Sequence, residues 1–257
     1  MKTGVKQQPL PDDGASRRYT SSRRASVLDY PFERGWRYHA FRAGNYMLAN
    51  DEEEMIRLDL LHKVMTKRIG NKMFLAPVDG SRISRILDMG TRTSIYDLES
   101  PWAYGAPFDF IFGRCLVTSI KDWPGLVQSA YELRWLELQN FDPVIRRADP
   151  RPPNTAPLWS GPTSSSSLAR SWGGFWRGRY EKVGNQTFDI PFGTWAKDRA
   201  LKELGILFAV QMIQGLEAIS LRLMCNVVGW ELENVKEFLG KVRREFEANE
   251  HRFYVVL

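Results

Sequence analysis

Few side chains in this 257-residue chain are of types that do chemistry, and their spacing narrows the options further. There are two cysteines, Cys115 and Cys225, and three histidines. That is too few for a disulfide scaffold, and the spacing fits no usual zinc site. His62 stands beside an apolar helical stripe, where a packed or solvated imidazole is the commoner outcome. Asp88 and Gly90 close a short apolar segment, Arg82 to Met89, which reads as a buried strand ending in an acid and a glycine. Trp159, Trp172, Phe175 and Trp176 could grip a flat aromatic molecule, although ordinary packing serves them equally well. Arg17-Arg18 and Arg23-Arg24 flank serines, a weak nuclear-entry or kinase-recognition pattern.

The elements that must position these residues follow from periodicity. Residues 1–28 are rich in Pro, Gly, Ser and Arg and read as a disordered basic tail of net charge +4. The remaining residues hold 30 basic and 28 acidic groups, so the body is nearly neutral and a nucleic-acid partner is not expected. The domain is read as 29–257. Asn50 is the expected N-cap of a first helix, with Glu53 closing a capping box and Met55, Leu58, Leu61, Met65 and Ile69 on the buried face. Pro107 to Phe112 and Trp135 to Phe141 read as strands, and Thr187 to Ile190 as a shorter one. Asp122-Trp123-Pro124 opens a helix running to about Leu133. Leu201, Leu204, Phe208, Met212, Leu216, Ile219 and Leu223 form a helical seam in a helix expected from Ala196. Gly229 punctuates it. A last helix carries Leu232, Val235, Leu239, Val242 and Phe246, and Arg252 to Leu257 closes as a strand. Residues 142–186 have no period and read as an irregular lid or insert. Strands alternating with helices give an α/β layered fold. The polar N-terminus predicts no secretory signal, and no uncharged apolar run approaches the ~18 residues of a bilayer span, so a reducing, cytoplasmic or nuclear setting without membrane contact is expected.

The segment Ile86-Leu87-Asp88-Met89-Gly90-Thr91-Arg92-Thr93-Ser94-Ile95 resembles the first cofactor motif of class I S-adenosylmethionine (SAM)-dependent methyltransferases. More closely, the chain resembles the fungal LaeA-like methyltransferases of secondary metabolism. The stretches that carry the resemblance are Asn50 to Leu61, Lys72 to Val78, Ile86 to Ile95, Ser100 to Trp102 with Pro107 to Ile111, Ser119 to Pro124, Trp135 to Asp142, and Trp195 to Arg243. It implies a Rossmann-like fold with a sheet ordered 3-2-1-4-5-7-6, SAM as cofactor, no metal, and Asp88, Gly90 and Asp97 as what is left of the cofactor-binding set.

The departures from the pattern are physical. The family motif reads Asp-x-Gly-Thr-Gly-Thr-Gly, and here Arg92 and Ser94 stand where the second and third glycines belong. Those glycines admit the cofactor to the backbone. An arginine there crowds the methionine end and places a cation beside a sulfonium. Only 17 residues, Gly90 to Ala106, separate the first strand from Pro107, while one parallel crossover alone needs a dozen or more. Strands 2 and 3, with the acid that holds the ribose, are therefore expected to be missing. The family's Lys-Pro-Gly-Gly-like turn is replaced by Glu132-Leu133-Arg134-Trp135. Phe112 stands where the family tends to have a histidine, and none lies between His62 and His251. Strand 1 would then lie at a sheet edge, covered by the N-terminal helix, by residues 142–186 or by a partner chain. Three functions compete. One is a methyltransferase-like protein impaired in SAM binding, holding an aromatic intermediate or serving other pathway enzymes without itself being a catalyst. The second is an active small-molecule methyltransferase, whose native product would carry the lost segment. The third is a nuclear regulator of secondary-metabolite genes.

Overall fold

The computed structural model describes residues 30–38, 48–89, 98–99, 102, 107–116, 119–130, 135–142, 144–148 and 184–257. The elements in order are β1 (Phe32–Glu33), β2 (Trp36–Arg37), α1 (Glu52–Arg68), β3 (Ile86–Asp88), β4 (Phe110–Arg114), α2 (Trp123–Ala130), β5 (Trp135–Gln139), β6 (Arg146–Arg147), β7 (Asp189–Pro191), α3 (Arg199–Leu223), a π-helical turn (Met224–Val228), α4 (Leu232–Ala248) and β8 (Phe253–Val256).

Strands β3, β4 and β5 form a parallel sheet in that order, with Asp88 opposite Phe112 and Gly113 opposite Leu138. The central strand is buried from Phe110 to Gly113, as a parallel strand covered on both faces must be. On one side Ile111 packs with Met89, Leu116, Leu126 and Ala130 under α2. On the other, Phe74 meets Phe110 edge-on at 4.9 Å. A second sheet, β6-β8-β7, is antiparallel. The chain leaving β5 enters it directly, because the Asp142 amide donates to the Val256 carbonyl at 2.7 Å. The parallel strands followed by an antiparallel last strand beside β7 reproduce the implied 1-4-5 and 7-6 neighbours, which is the α/β, Rossmann-like layout. Among the described residues, β3 has a neighbour on one side only. Ile86 is 53% exposed there, so the expected buried strand over 82–89 is a three-residue edge.

The second core is helical. α3 crosses α1, and Leu61, Val64 and Met65 meet Leu204, Phe208 and Leu216. Within that interface the Arg57 guanidinium grips both oxygens of Glu54, at 2.6 and 2.7 Å, and donates to Gln211 Oε1 at 2.7 Å. The two charged side chains are 6% and 0% exposed. Gly215 makes room for them, since a Cβ there would fall 2.1 Å from Arg57 Cδ. The helical run Arg199–Val228 is long and apolar enough to cross a membrane by length and composition. In this fold it is the central core helix, with 56% of its most apolar stretch buried inside the protein.

Several expected boundaries move, each for a local reason. The first helix is capped by Asp51, whose side chain accepts from the Glu54 amide, and not by Asn50 with Glu53. Asn50 is already occupied by Arg37, which donates to its side-chain oxygen and its carbonyl. The long helix starts at Arg199 because Asp198 caps it through the Leu201 amide. Asp122 does cap α2, accepting from Gly125 at 2.9 Å, although the described helix stops at Ala130. The fourth expected strand shifts to Asp189–Pro191. Within 142–186, Arg146–Arg147 pair with β8. Gly229 ends the π-helical turn with φ 81°, a left-handed value suited to glycine.

Candidate functional site

In open α/β sheets, ligands bind outside the carboxyl ends of the strands. Here those ends present Asp88 and Met89 from β3, Arg114 and Cys115 from β4, and Gln139 and Asn140 from β5. Asp88 is exposed at the tip of β3. Gly90 and Asp97, the other two residues expected to hold cofactor, lie outside the described residues, as do Arg92, Ser94 and the aromatic set Trp159, Trp172, Phe175 and Trp176.

The centre of this end is Arg114, which the sequence reading missed. Its Nε donates to Gln139 Oε1 at 2.8 Å and its Nη2 to the Met73 carbonyl at 2.8 Å. Nη1 contacts His62 Nδ1 at 2.9 Å and donates to Thr66 Oγ1 at 3.1 Å. The guanidinium stacks 5.3 Å from the Phe112 ring centroid. Every one of these acceptors is neutral. The Arg114 pKa is pushed down by burial, which Asp88 and Glu137 only partly oppose. Glu137 is itself engaged by the amides of Leu75 and Ala76 and by Gln139 Nε2. The signal in the sequence was the arginine closing an apolar strand, FIFGR, with no acid following it.

His62 reaches this site from α1. The sequence offers no imidazole between His62 and His251, yet the helix delivers one to the end of β4. Burial first, then the Arg114 charge, holds its pKa below the ordinary 6.5, with Asp88 pulling the other way. Arginine can only donate, so Nδ1 is the lone-pair nitrogen and the proton sits on Nε2. An imidazole held in this tautomer is a donor toward solvent, not a base.

Cys115 follows Arg114 with φ 58° and its amide donates to the Gln139 carbonyl at 2.8 Å. Burial raises its thiol to about 11, and its sulfur lies 3.6 Å from Met65 Sδ. This is a packed thiol and not a nucleophile. Among the described residues no group of three or more His, Cys, Asp or Glu side chains is placed to hold a metal ion. A groove of about 280 Å³ between the end of α1 and the start of α3, lined by Lys67, Arg68, Asp198 and Glu203, lies apart from the strand ends.

Residues 90–97, the segment that would hold the SAM implied by the resemblance, lie outside the described residues, and the described strand ends offer the Arg114 guanidinium and the exposed Asp88. No described strand lies beyond β3 to present a ribose-binding acid.

A parallel sheet β3-β4-β5 beside an antiparallel closing strand is the layout of a Rossmann-like α/β protein. Comparison with known proteins makes this specific. The chain is 32% identical to methyltransferase pytC of Aspergillus terreus over 279 aligned positions, covering 88% of this chain and 85% of pytC. It is 24% identical to the secondary metabolism regulator laeA of Aspergillus flavus, covering 88% of this chain and 75% of that protein. It is 27% identical to the secondary metabolism regulator LAE1 of Gibberella fujikuroi, covering 83% and 85%. The chain belongs to the fungal LaeA-like methyltransferase family. No protein-family model matches it, and no solved structure does.

Proposed function

We propose that this LaeA-like protein of fungal secondary metabolism has lost the nucleoside half of its SAM site and acts as an accessory, substrate-holding component. The observation that carries this is the shortfall of chain. An alignment of 279 positions that takes up 88% of 257 residues, about 226, leaves about 53 positions filled in pytC and empty here. The 17 residues between Asp88-Met89 and Pro107 are too few for the usual two strands and their crossovers, which supports locating much of that loss there. The half-exposed Ile86 at the edge of β3 supports the same reading, and supports a second copy or a pathway enzyme pairing at that edge. The cation at the end of β4 supports weak affinity for a sulfonium.

The pytC likeness favours one other reading, an active SAM-dependent methyltransferase whose native product retains the lost segment. The regulator names of the laeA and LAE1 relatives favour a nuclear role less directly. The test is the intact mass of the protein isolated from its host, together with transfer of labelled methyl groups from SAM. A mass of 29.7 kDa without transfer supports the accessory reading. A heavier chain carrying the segment, or a labelled product, establishes the enzyme.

A further inference from the structure

We propose that the outward face shared by α1 and α3 is a dimer surface, on which α1 of a second copy of this chain lies antiparallel to α1. The inference goes beyond the function just proposed and does not depend on it. None of the residues involved belongs to the strand ends or to the β3 edge.

The two helices run antiparallel, because Arg57 donates to Gln211 and packs on Gly215, while Lys67 shares a groove with Glu203. α1 turns Leu61, Val64 and Met65 into the core. Helical spacing then sets Ile56, Leu60, Lys63 and Lys67 along the outward stripe. Ile56 is 63% exposed, and on α3 Ile206 and Val210 are 40% and 41% exposed. Single exposed apolar residues need no explanation. Here, however, Ile206 and Leu207 line a groove of about 300 Å³ with Lys63, Lys67 and Glu203, so the exposed apolar side chains border one continuous surface.

Charge selects the occupant. The stripe is acidic at its start, where Glu52 and Glu53 are exposed, and basic toward its end, where Lys63 and Lys67 are exposed. A second α1 laid antiparallel brings the acidic end against the basic end twice, whereas a parallel one sets like on like. With the twofold axis at Leu60, Glu53 faces Lys67 of the partner subunit and the reverse, and Ile56 lies over the aliphatic stem of Lys63 of the partner subunit. On α3 the same axis brings Glu203 toward Glu217 of the partner subunit, an unfavourable approach that Arg199, 3.2 Å from Glu203, offsets. Size sets the strength. At 1.5 Å per residue the 17-residue α1 is about 25 Å long. With α3 about 8–10 Å beside it, the face covers roughly 500 Å² per copy, about 1,000 Å² in total, at the lower limit for a specific interface. A dissociation constant of roughly 10–100 μM is expected, with the charges fixing orientation more than affinity.

The test is analytical ultracentrifugation of the full chain from about 5 to 500 μM, a range that brackets this affinity. All samples carry Ile86→Lys, which puts a charge on the half-exposed β3 edge and blocks pairing there, so the edge contact and this one are read separately. Reversible dimerisation is expected. Lys67→Glu and Glu53→Lys each set like charges opposite one another twice, and each is expected to weaken association roughly tenfold. An equimolar mixture of the two variants recreates both opposite-charge pairs and is expected to regain the unreversed affinity, as is the chain carrying both changes. Because Glu53→Lys also opposes the α1 dipole, its melting curve is recorded, and the mixture, which no folding defect in one variant can imitate, decides. A monomer at 500 μM overturns the proposal, another segment of the chain or a different partner then covering the face. Association that neither single reversal weakens, or a mixture no tighter than either variant alone, also overturns it.

Discussion

Arg57→Met is the most informative single change in the helical core. Glu54 and Arg57 are shielded from solvent, with side chains 0% and 6% exposed, so their interaction is not weakened by water. Methionine keeps an apolar stem over Gly215, in the space a Cβ would fill, so packing is largely retained. The change removes the positive charge and strands a buried carboxylate and the Gln211 oxygen. Breaking a buried ion pair from one side costs about 3–5 kcal/mol. At about 2–4 °C per kcal/mol for a domain of this size, the melting temperature falls by roughly 6–20 °C. Urea denaturation with an unchanged slope is the assay. The triple change Glu54→Leu, Arg57→Met, Gln211→Leu leaves no stranded charge and is expected to recover most of the loss, because the three groups act as a unit. A single Arg57→Met variant within about 1 kcal/mol of the parent would refute the reasoning. The consequence for the site is direct, since α1 carries both this network and His62 with Thr66.

Three further outcomes follow. At pH 8, iodoacetamide is expected to label Cys225 in the native protein and to spare Cys115 until denaturant is added, because a thiol raised to about 11 holds almost no thiolate; equal labelling rates would contradict this. By NMR, His62 is expected to titrate below 6.5, and Arg114→Met is expected to move it part of the way back, the larger burial contribution remaining. The unfolded chain then binds the proton more readily, so this group's contribution to stability is present above pH 6.5 and is lost as pH falls through 6.5 to the folded value; a folded value at or above 6.5 would reverse the sign. Amides of Ile86–Asp88 are expected to exchange faster than those of Phe110–Gly113 in dilute protein and to gain protection on concentrating, as a second copy covers the edge; exchange independent of concentration would exclude such pairing.

Long, periodic elements could be read from the residues alone. Along the seam Leu204, Phe208 and Leu216 are buried while Leu201, Met212, Ile219 and Leu223 are half-buried, the stripe Val235, Leu239, Val242 and Phe246 is buried, and the strands at Phe110 and Trp135 pair in parallel as alternating elements require. Boundaries slipped where a side chain was already committed elsewhere. Asn50 looks like a cap in sequence, but Arg37 holds it, and nothing local reveals a partner thirteen residues away. The site was less legible still. Asp88 was recognised as a strand-end acid, whereas Arg114 and His62 lie 52 positions apart and meet only because α1 lies across the end of β4. The Glu54–Arg57–Gln211 network hid in the same way. An acid and a base on one helix read as a solvated surface pair until α3 closes over them.

The proposed loss of the ribose cradle is tested most directly by calorimetric titration of the purified 257-residue chain with SAM and with S-adenosylhomocysteine at neutral pH. No saturable heat for either at millimolar concentration is the expected result. A dissociation constant below a millimolar for either would contradict it, and would require a nucleoside pocket built from residues other than those a second and third strand supply.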